Sequence, residues 1–481
     1  MADLAYVFLT DTHFGAPNSL LTNLKTASSD ADPLEPSPVL RSLAACLATL
    51  VEQNTGNEKP TLVLGGDILE LALATTNQAA MAFTRFAELL FPEQGEPLFD
   101  RIVFIPGNHD HHLWEIARET QYLNHVATLD VGTVLPIPWH ATSMFEKSKT
   151  KKVPECFLTG LLRRLGHVDA TEERVTTFYP NFGVVTKNRK RAVVFTHGHF
   201  VEPIYRLMST LRSMVFPDRK PPVHVWDLEA ENFAWIDFFW SAMGRSGEVG
   251  ADIGLIYDRL QDEDAREALL AALARSLAER YDLPGWGDAM EAQLLEWAFE
   301  AIGKQVEGLE RHQAGTRALT PAAEKGLWTY VEGPLKQQML IELGQSMPPD
   351  ITLLFGHTHK PFAEDLNFAG FGQWVDTYNS GGWVVDSVDP ELQHGAAVVL
   401  VDRRHSAVAV RLYNETEDRG ISPVRVEQST HAAEPDTPFY RAVRDQVAPD
   451  ADPWLSLSQQ IAEAVSKRRQ HLRARVNGSE S

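Results

Sequence analysis

The chain has 481 residues, a formal net charge of −21, a hydrophobic fraction of 44% and a charged fraction of 23%. A chain of this length can bury a large core, and its composition is that of an ordinary globular protein. The negative charge argues against general affinity for nucleic acid or anionic membranes. No apolar run approaches the roughly 20 residues that cross a bilayer. The N-terminus lacks the features of a signal peptide, so we expect a cytoplasmic protein.

Strands and helices alternate in the first part of the chain. Apolar runs predict buried strands at 4–10, 61–64 and 102–105, and helical periodicity predicts helices at 39–51 and 79–90. Between the first strand and the first helix, residues 15–37 are rich in Ser, Asn, Asp and Pro and predict an irregular loop. The alternation indicates a parallel α/β layer with right-handed crossovers.

Short strands follow, and then a long helical stretch interrupts them. Strands are predicted at 175–179, 183–186 and 192–196, and helices at 203–215, 227–243, 262–281, 288–311 and 321–344. The strand pattern resumes at 351–355. Further strands at 375–379, 382–386, 396–401 and 407–412 suggest an antiparallel sheet that closes the core. We therefore expect a core in two parts, 1–200 and 350–415, around a helical cap insertion at 201–349.

The C-terminal part, residues 416–481, is predicted to be a polar linker followed by one amphipathic helix at about 453–475. The basic end of that helix, residues 467–475, is interpreted as a solvated helix terminus, with contact to an anionic partner as the alternative. A disulfide framework and a cysteine zinc site are excluded, because Cys46 and Cys156 are the only cysteines.

Five of the apolar runs end directly in side chains that can bind metal. These side chains are Asp11 and His13, Asp67, Asn108 and His109, His197 and His199, and His357 and His359. Each motif alone is weak, since Asp-x-His is usually turn or cap chemistry. Five in succession are hard to obtain by accident, and the carboxyl ends of strands are where open α/β sheets bind ligands. Imidazole and carboxylate without thiolate suit Mn, Fe or Zn, and two ions sharing a carboxylate would use them all.

The order and context of these motifs resemble the calcineurin-like metallophosphoesterase superfamily. The matching segments are Asp11-x-His13, Gly66-Asp67, Gly107-Asn108-His109-Asp110, His197 and Gly356-His357-x-His359. The resemblance implies an α/β fold, specifically a four-layer α/β/β/α sandwich. It implies that one metal is held by Asp11, His13 and His359, that the other is held by Asn108, His197 and His357, and that Asp67 bridges them. It further implies attack by a metal-bridging hydroxide, protonation of the leaving oxygen by His109, and support of the His109 tautomer by Asp110.

The segment Gly66-Asp67-Ile-Leu-Glu70 lacks the arginine of the Gly-Asp-x-x-Asp-Arg-Gly motif of Ser/Thr protein phosphatases. With Asp110 following His109, it is more similar to bacterial UDP-2,3-diacylglucosamine hydrolases, which cleave a pyrophosphate. Asn379-Ser-Gly-Gly-Trp383 also resembles the turn that follows the last histidine pair in the superfamily.

The helical insertion is the main departure from the superfamily pattern. Residues 227–311 contain 19 acidic and 7 basic residues, and residues 226–240 are dense in Trp and Phe. The aromatic residues predict either a packed cap core or an apolar wall for a lipid or base. Arg206 and Arg212 could reach a substrate phosphate or be ordinary exposed arginines. His199 could contact substrate or a metal ligand, or only pack.

We therefore predict a dimetal phosphoesterase, with Mn favoured over Fe or Zn, that hydrolyses a small or lipid-linked phosphodiester, pyrophosphate or phosphomonoester. The alternative is a nuclease or cyclic-nucleotide phosphodiesterase with the same centre, which only the basic stretches 147–152 and 187–191 support. A non-catalytic scaffold is a remote third reading, since it predicts lost ligands and all are present.

Overall fold

The computed structural model describes residues 3–476 except for 27, 57, 147–151, 170, 172–173, 243–317, 417–419 and 430–435. The helices predicted at 262–281 and 288–311 lie outside the described residues. Among the helices that are described, none is both long and apolar enough to cross a membrane.

The larger sheet combines the early strands with the last ones. Its strands are β1 (Leu4–Leu9), β4 (Thr61–Leu64), β5 (Arg101–Phe104), β6 (Val153–Pro154), β7 (Val175–Thr177), β13 (Gly395–Asp402), β14 (Ala407–Asn414) and β15 (Arg425–Glu427), in the order β15-β14-β13-β1-β4-β5-β7-β6. β1, β4, β5 and β7 are parallel, whereas β13 is antiparallel to β1. The predicted parallel layer is therefore present, and β13 and β14 extend it with antiparallel strands.

The smaller sheet contains β8 (Asn181–Val185), β9 (Arg191–Thr196), β10 (Asp350–Phe355), β11 (Phe362–Leu366) and β12 (Val375–Asn379), in the order β11-β12-β10-β9-β8. β10 lies between β9 and β12 and is parallel to both. The prediction that 375–379 begins an antiparallel closing sheet is therefore wrong: this strand joins the smaller sheet, and only β11 pairs with it antiparallel. A hairpin of β2 (Thr22–Leu24) and β3 (Ala31–Pro36) forms a separate two-stranded sheet.

The helices cover the outer faces of the sheets. They are α1 (Pro38–Val51), α2 (Thr76–Leu90), α3 (His111–Val126), α4 (Cys156–Arg163), α5 (Leu207–Val215), α6 (Val225–Ile236), α7 (Pro321–Tyr330), α8 (Lys336–Leu343), α9 (Pro438–Gln446) and α10 (Trp454–Val476). α1 begins where its sequence favours a start: the Ser37 hydroxyl accepts the Leu40 N–H at 3.0 Å, and Pro38 occupies the first turn.

Successive side chains of β1 point to opposite faces of the larger sheet and so contribute to two different layers of the core. Val7 and Leu9 belong to the apolar cluster beneath α1, α2 and α10, whereas Phe8 belongs to a second cluster between the two sheets. There the Phe8 and Phe195 ring centroids are 5.6 Å apart. A third cluster joins the outer face of the smaller sheet to the helices of the insertion. The architecture is the predicted α/β/β/α sandwich.

The insertion leaves the core after β9 and returns at β10, its hydrogen-bonded neighbour, where Val194 lies opposite Leu353. Before α5 it contains two 3-10 turns, His199–Val201 and Pro203–Arg206, and π-helical turns follow α6 and α7 at Asp237–Ser241 and Val331–Leu335.

The aromatic residues of the insertion do not form one uniform core. Trp240 is buried and the Trp235 indole N–H donates to Ile204 O, whereas Trp226 and Phe238 are 38% and 68% exposed. Both sequence interpretations of this segment remain open.

Several local predictions are wrong. α3, α4 and α9 were not predicted, the β2–β3 hairpin lies inside the predicted irregular loop 15–37, and β15 lies inside the predicted linker. Residues 382–386 make only an isolated bridge, between Val384 and Ser19, and form no strand.

The basic end of α10 is not wholly solvated as predicted. Arg468 and Arg469 are buried, the Arg468 guanidinium donates to Thr22 O and Ser19 O, and Arg469 pairs with Glu415. Arg468 therefore fastens the last helix onto the loop that follows β1, and Arg469 fastens it onto the end of β14.

Candidate dimetal centre

The five polar strand ends meet at one edge of the sandwich. In the larger sheet, Asp11 and His13 follow β1, Asp67 follows β4, and Asn108 and His109 follow β5. In the smaller sheet, His197 follows β9, and His357 and His359 follow β10. Because these strands are parallel within each sheet, their carboxyl ends lie side by side. All of these side chains are buried, and three overlapping groups of them are close enough to share a metal ion.

The first group contains Asp11, His13 and His359. The Asp11 Oδ1 atom lies 3.5 Å from His359 Nε2, and His13 Nε2 lies 3.8 Å from Asp67 Oδ2. Asp11 Oδ1 and His13 Nε2 are buried without a hydrogen bond. Buried polar atoms are rarely left unsatisfied, so these two atoms fit a ligand that they face together.

The second group contains Asp67, His197 and His357, with Asn108 beside them. His197 Nε2 lies 3.5 Å from Asp67 Oδ2, 3.1 Å from Asn108 Oδ1 and 3.2 Å from His357 Nδ1. The same Asp67 oxygen faces His13 of the first group. The carboxylate is therefore placed where a ligand shared between two ions would lie.

Each of the four imidazoles has an oxygen atom within 3.1 Å of its other nitrogen. His13 Nδ1 lies 2.8 Å from Glu70 Oε2, and His359 Nδ1 lies 3.1 Å from Asp386 Oδ2. His197 Nδ1 lies 3.0 Å from Gly65 O, and His357 Nε2 lies 2.6 Å from Glu202 Oε1. Metal-binding histidines usually have such an acceptor, which fixes the tautomer and the orientation of the ring. Sequence reasoning missed Asp386 and Glu202, because no spacing from the histidine motifs indicates them.

The backbone at this edge is held in an unusual conformation. Of the eight non-glycine residues with positive φ in the described chain, five belong to the two groups: Asp11, His13, Asp67, His357 and His359. Such conformations cost energy and persist only where the surroundings enforce them. The Asp11 and His13 amides donate to Gly66 O and Asp67 O, each at 2.9 Å, and so tie the β1 loop to the β4 loop.

Glycines beside the ligands allow the close approach of these loops. A Cβ on Gly107 would lie 2.3 Å from Asp67 Oδ1, and a Cβ on Gly356 would lie 2.2 Å from Asp11 Oδ2. Asn379 lies in the segment that resembles the turn of the superfamily. Its side-chain amide donates to Gly356 O at 3.0 Å and to Thr358 Oγ1 at 2.9 Å, and these bonds hold the loop of the last histidine pair in place.

Glu70 also holds His109. The Oε1 atom of Glu70 lies 2.9 Å from His109 Nδ1, while the His109 amide donates to Asp67 Oδ1 at 2.7 Å. Burial raises the pKa of Glu70, but the imidazoles of His109 and His13 outweigh burial and hold that pKa below its usual range. One carboxylate therefore orients both a candidate metal ligand and the candidate proton donor.

The prediction that Asp110 supports the His109 ring is wrong. The Asp110 carboxylate instead accepts the main-chain N–H groups of Gly107 at 2.7 Å, Ile68 at 2.7 Å and Leu69 at 3.2 Å. It fastens the loop after β4 to the loop after β5. Burial, and then repulsion from Asp67, raise the pKa of Asp110 to about 7.

The predicted substrate-binding residues are not part of this cluster. His199 Nε2 lies 3.2 Å from the Tyr179 hydroxyl. Burial and then the neighbouring imidazoles hold the pKa of His199 well below its usual range. Arg212 pairs with Glu231 of α6, and its contact with substrate stays a prediction. Arg206 lines a separate cavity.

A further group of His111, Glu115 and Glu229 is also compact. Its charged side chains already have protein partners, because His111 Nε2 lies 2.7 Å from Glu229 Oε1 and Glu115 pairs with Arg118. Burial lowers the pKa of His111, but the charge of Glu229 and the polar contacts with Asp237 and Glu229 together outweigh it and raise that pKa to about 10. We interpret this group as a buried ionic contact between α3 and the insertion.

Residues 5–236 match the family model described as calcineurin-like phosphoesterase. The match supports the superfamily and metal-dependent phosphoesterase activity, and it includes every candidate ligand except His357 and His359. No curated protein matches the chain, so nothing supports a closer relationship to the UDP-2,3-diacylglucosamine hydrolases.

Proposed function

We propose that the protein is a dimetal phosphoesterase that hydrolyses a phosphodiester or pyrophosphate of a small or lipid-linked substrate. The observation that carries this proposal is the Asp67 Oδ2 atom, which lies 3.8 Å from His13 Nε2 and 3.5 Å from His197 Nε2. A carboxylate between two sets of imidazoles is what a pair of divalent ions sharing one ligand requires.

The donor set fits the ions expected from the sequence. Asp11, His13, Asp67 and His359 would hold one ion, and Asp67, Asn108, His197 and His357 the other, with only carboxylate, imidazole and amide donors. Such donors suit Mn, Fe or Zn, and we favour Mn. When bound, the pair would lower the pKa of bound water and neutralise charge on the phosphoryl oxygens.

The chain's own contribution to chemistry centres on His109. Because Glu70 lies against its Nδ1 atom, Nε2 is the nitrogen available to donate a proton to the leaving oxygen. Glu70 would also stabilise the imidazolium, since a carboxylate beside the ring favours its charged form. The hydrogen bond from the main-chain N–H of His109 to Asp67 Oδ1 fixes the distance between the proton donor and the bridging carboxylate.

The basic stretches give the nuclease alternative little support. Residues 147–151 lie outside the described residues, Arg189 donates to Leu343 O, and Arg191 pairs with Asp350. Two of the cations at 187–191 therefore already have protein partners.

The proposal is tested by assaying the Mn²⁺-loaded protein on bis-p-nitrophenyl phosphate, p-nitrophenyl phosphate and single-stranded DNA. We expect metal-dependent cleavage of the diester. A metal-loaded protein that is inert on all three would overturn the proposal, and salt-sensitive degradation of DNA would favour a nuclease.

A further inference from the structure

The insertion contains a cavity close to the candidate centre. The Tyr205 ring centroid is 5.1 Å from that of His357. The next residue, Arg206, lines a cavity of about 250 Å³ between the first turns of the insertion, α5, α6 and the helix end at Tyr330 and Pro334. None of the candidate metal ligands lines this cavity.

Arg206 has no anionic partner among the residues that the structure describes. Its Nε atom is buried without a hydrogen bond, and no carboxylate of the described chain pairs with its guanidinium. Burial alone lowers its pKa. Arg212, six residues later, shows the contrast, because it pairs with Glu231 and donates to Lys220 O. Arg206 as a whole is half-buried, and a guanidinium that lines a cavity without a partner is placed to bind an anion.

The other described residues of the walls do not supply that anion. They are mainly apolar, with four prolines and Leu228, and Arg206 is the one charged residue among the described residues that line the cavity. The hydroxyl groups there are largely committed: Thr210 donates to Arg206 O, Ser213 to Ser209 O and Tyr330 to Asn181 Oδ1. The cavity therefore suits an anionic group attached to an apolar body.

We propose that this cavity binds a phosphate or carboxylate group through Arg206. A planar guanidinium can bind either group with two parallel hydrogen bonds. The inference extends the proposed function, since a substrate with a second anionic group beyond its scissile bond would reach from the metal centre past Tyr205 to Arg206. A free anion could use the same site, and the experiments below separate the two sources.

The first experiment titrates the metal-loaded full chain with inorganic phosphate by calorimetry. Wild-type protein should show two binding events, at the metal centre and at Arg206. Arg206→Gln should weaken one of them about 10- to 100-fold, the range for hydrogen bonds to a charged group. The matched control Arg219→Gln removes an exposed cation of the same segment and should keep both events.

Failure of the two proposals can be told apart. If the centre does not bind phosphate, wild-type protein should show a single event that Arg206→Gln removes, which supports the cavity and counts against the centre. Identical titrations for wild-type protein and Arg206→Gln would overturn the cavity proposal, as would the absence of binding in wild-type protein.

Arg206→Lys serves if the glutamine variant does not fold. It keeps the charge but not the paired geometry, so phosphate should bind at least about fivefold more weakly. Unchanged affinity in this variant would contradict a site built on the guanidinium.

The second experiment identifies the source of the anion. It compares bis-p-nitrophenyl phosphate with a p-nitrophenyl alkyl phosphodiester whose alkyl arm ends in a second phosphate. If the group belongs to the substrate, Arg206→Gln should raise KM about 10-fold or more for the second compound only, with kcat nearly unchanged. Equal KM values for wild type and variant on both compounds, together with lost phosphate binding, would assign the site to a free anion.

Discussion

The two ligand groups share Asp67 but differ in what holds their imidazoles. In the first group, His13 and His359 each lie against a carboxylate, Glu70 and Asp386, and both belong to the core. In the second, His197 lies against the carbonyl of Gly65, and His357 against Glu202 in the first turns of the insertion. The first group is therefore supported by the core alone, whereas the second depends on the insertion. The insertion is thus a structural part of the centre, beyond any role in covering it.

The largest effect should come from the residue that the two groups share. Asp67→Ala removes the oxygen that faces both, so we expect loss of one or both ions. Diester hydrolysis should fall by about three orders of magnitude or more, since metal stabilisation of phosphoryl charge is worth several kcal/mol. Metal analysis of dialysed protein, beside the initial rate, checks this. Full metal content with normal activity would contradict the shared ligand.

Replacing His109 separates chemistry from metal binding. His109→Gln should retain both ions and lower kcat about 100-fold or more, the usual range for a general acid. The loss should shrink as the leaving group becomes more acidic, because a good leaving group needs less protonation. Rates measured on a series of substituted phenyl esters test this. A loss that is independent of the leaving group would assign His109 to another role.

A matched pair of variants tests the difference between the two groups directly. Glu202→Gln and Asp386→Asn each remove one charge from an acceptor beside a candidate ligand. Such changes typically cost about 10- to 100-fold in metal affinity. Equilibrium dialysis against Mn²⁺ should resolve two binding constants, with each variant weakening a different one. If both variants weaken the same constant, the assignment of the two groups is wrong.

The smallest effect should come from a change remote from both groups. Ser37→Ala removes the N-cap of α1 and should lower the free energy of unfolding by about 1 kcal/mol. Metal content and the rate of hydrolysis at 25 °C should not change. Urea denaturation and the diester assay check both expectations. A variant with reduced metal content would mean that occupancy follows global stability rather than the local acceptors.

The sequence predicted which side chains meet at this edge because their signal is local. Asp11, Asp67 and His357 each follow an apolar run that had to be a buried strand, and parallel strands bring such ends together. It predicted the supporting residues poorly, since Glu202 and Asp386 reach their histidines only through the tertiary fold.

Asp110 and α3 show two other limits of sequence reasoning. Adjacency to His109 suggested contact between side chains, but the chain turns there and directs the Asp110 carboxylate to main-chain amides. α3 was missed because its face carries several histidines and charged residues, which hid the helical period. His111 and His112 of α3 pair with Glu229 and Asp237 of the insertion. No local sequence pattern indicates this pairing.

The neighbouring strands β9 and β10 have one more consequence. The chain departs from the core at one strand and comes back at the strand bonded to it, so both ends of the insertion are anchored at a single place. The spacing of His197 and His357 is thus independent of how many residues lie between them. Closing a longer loop adds little entropic cost, about 0.6 kcal/mol for each doubling of length. The core can therefore accept insertions of very different size at this place, provided that the first turns keep a carboxylate where Glu202 lies beside His357.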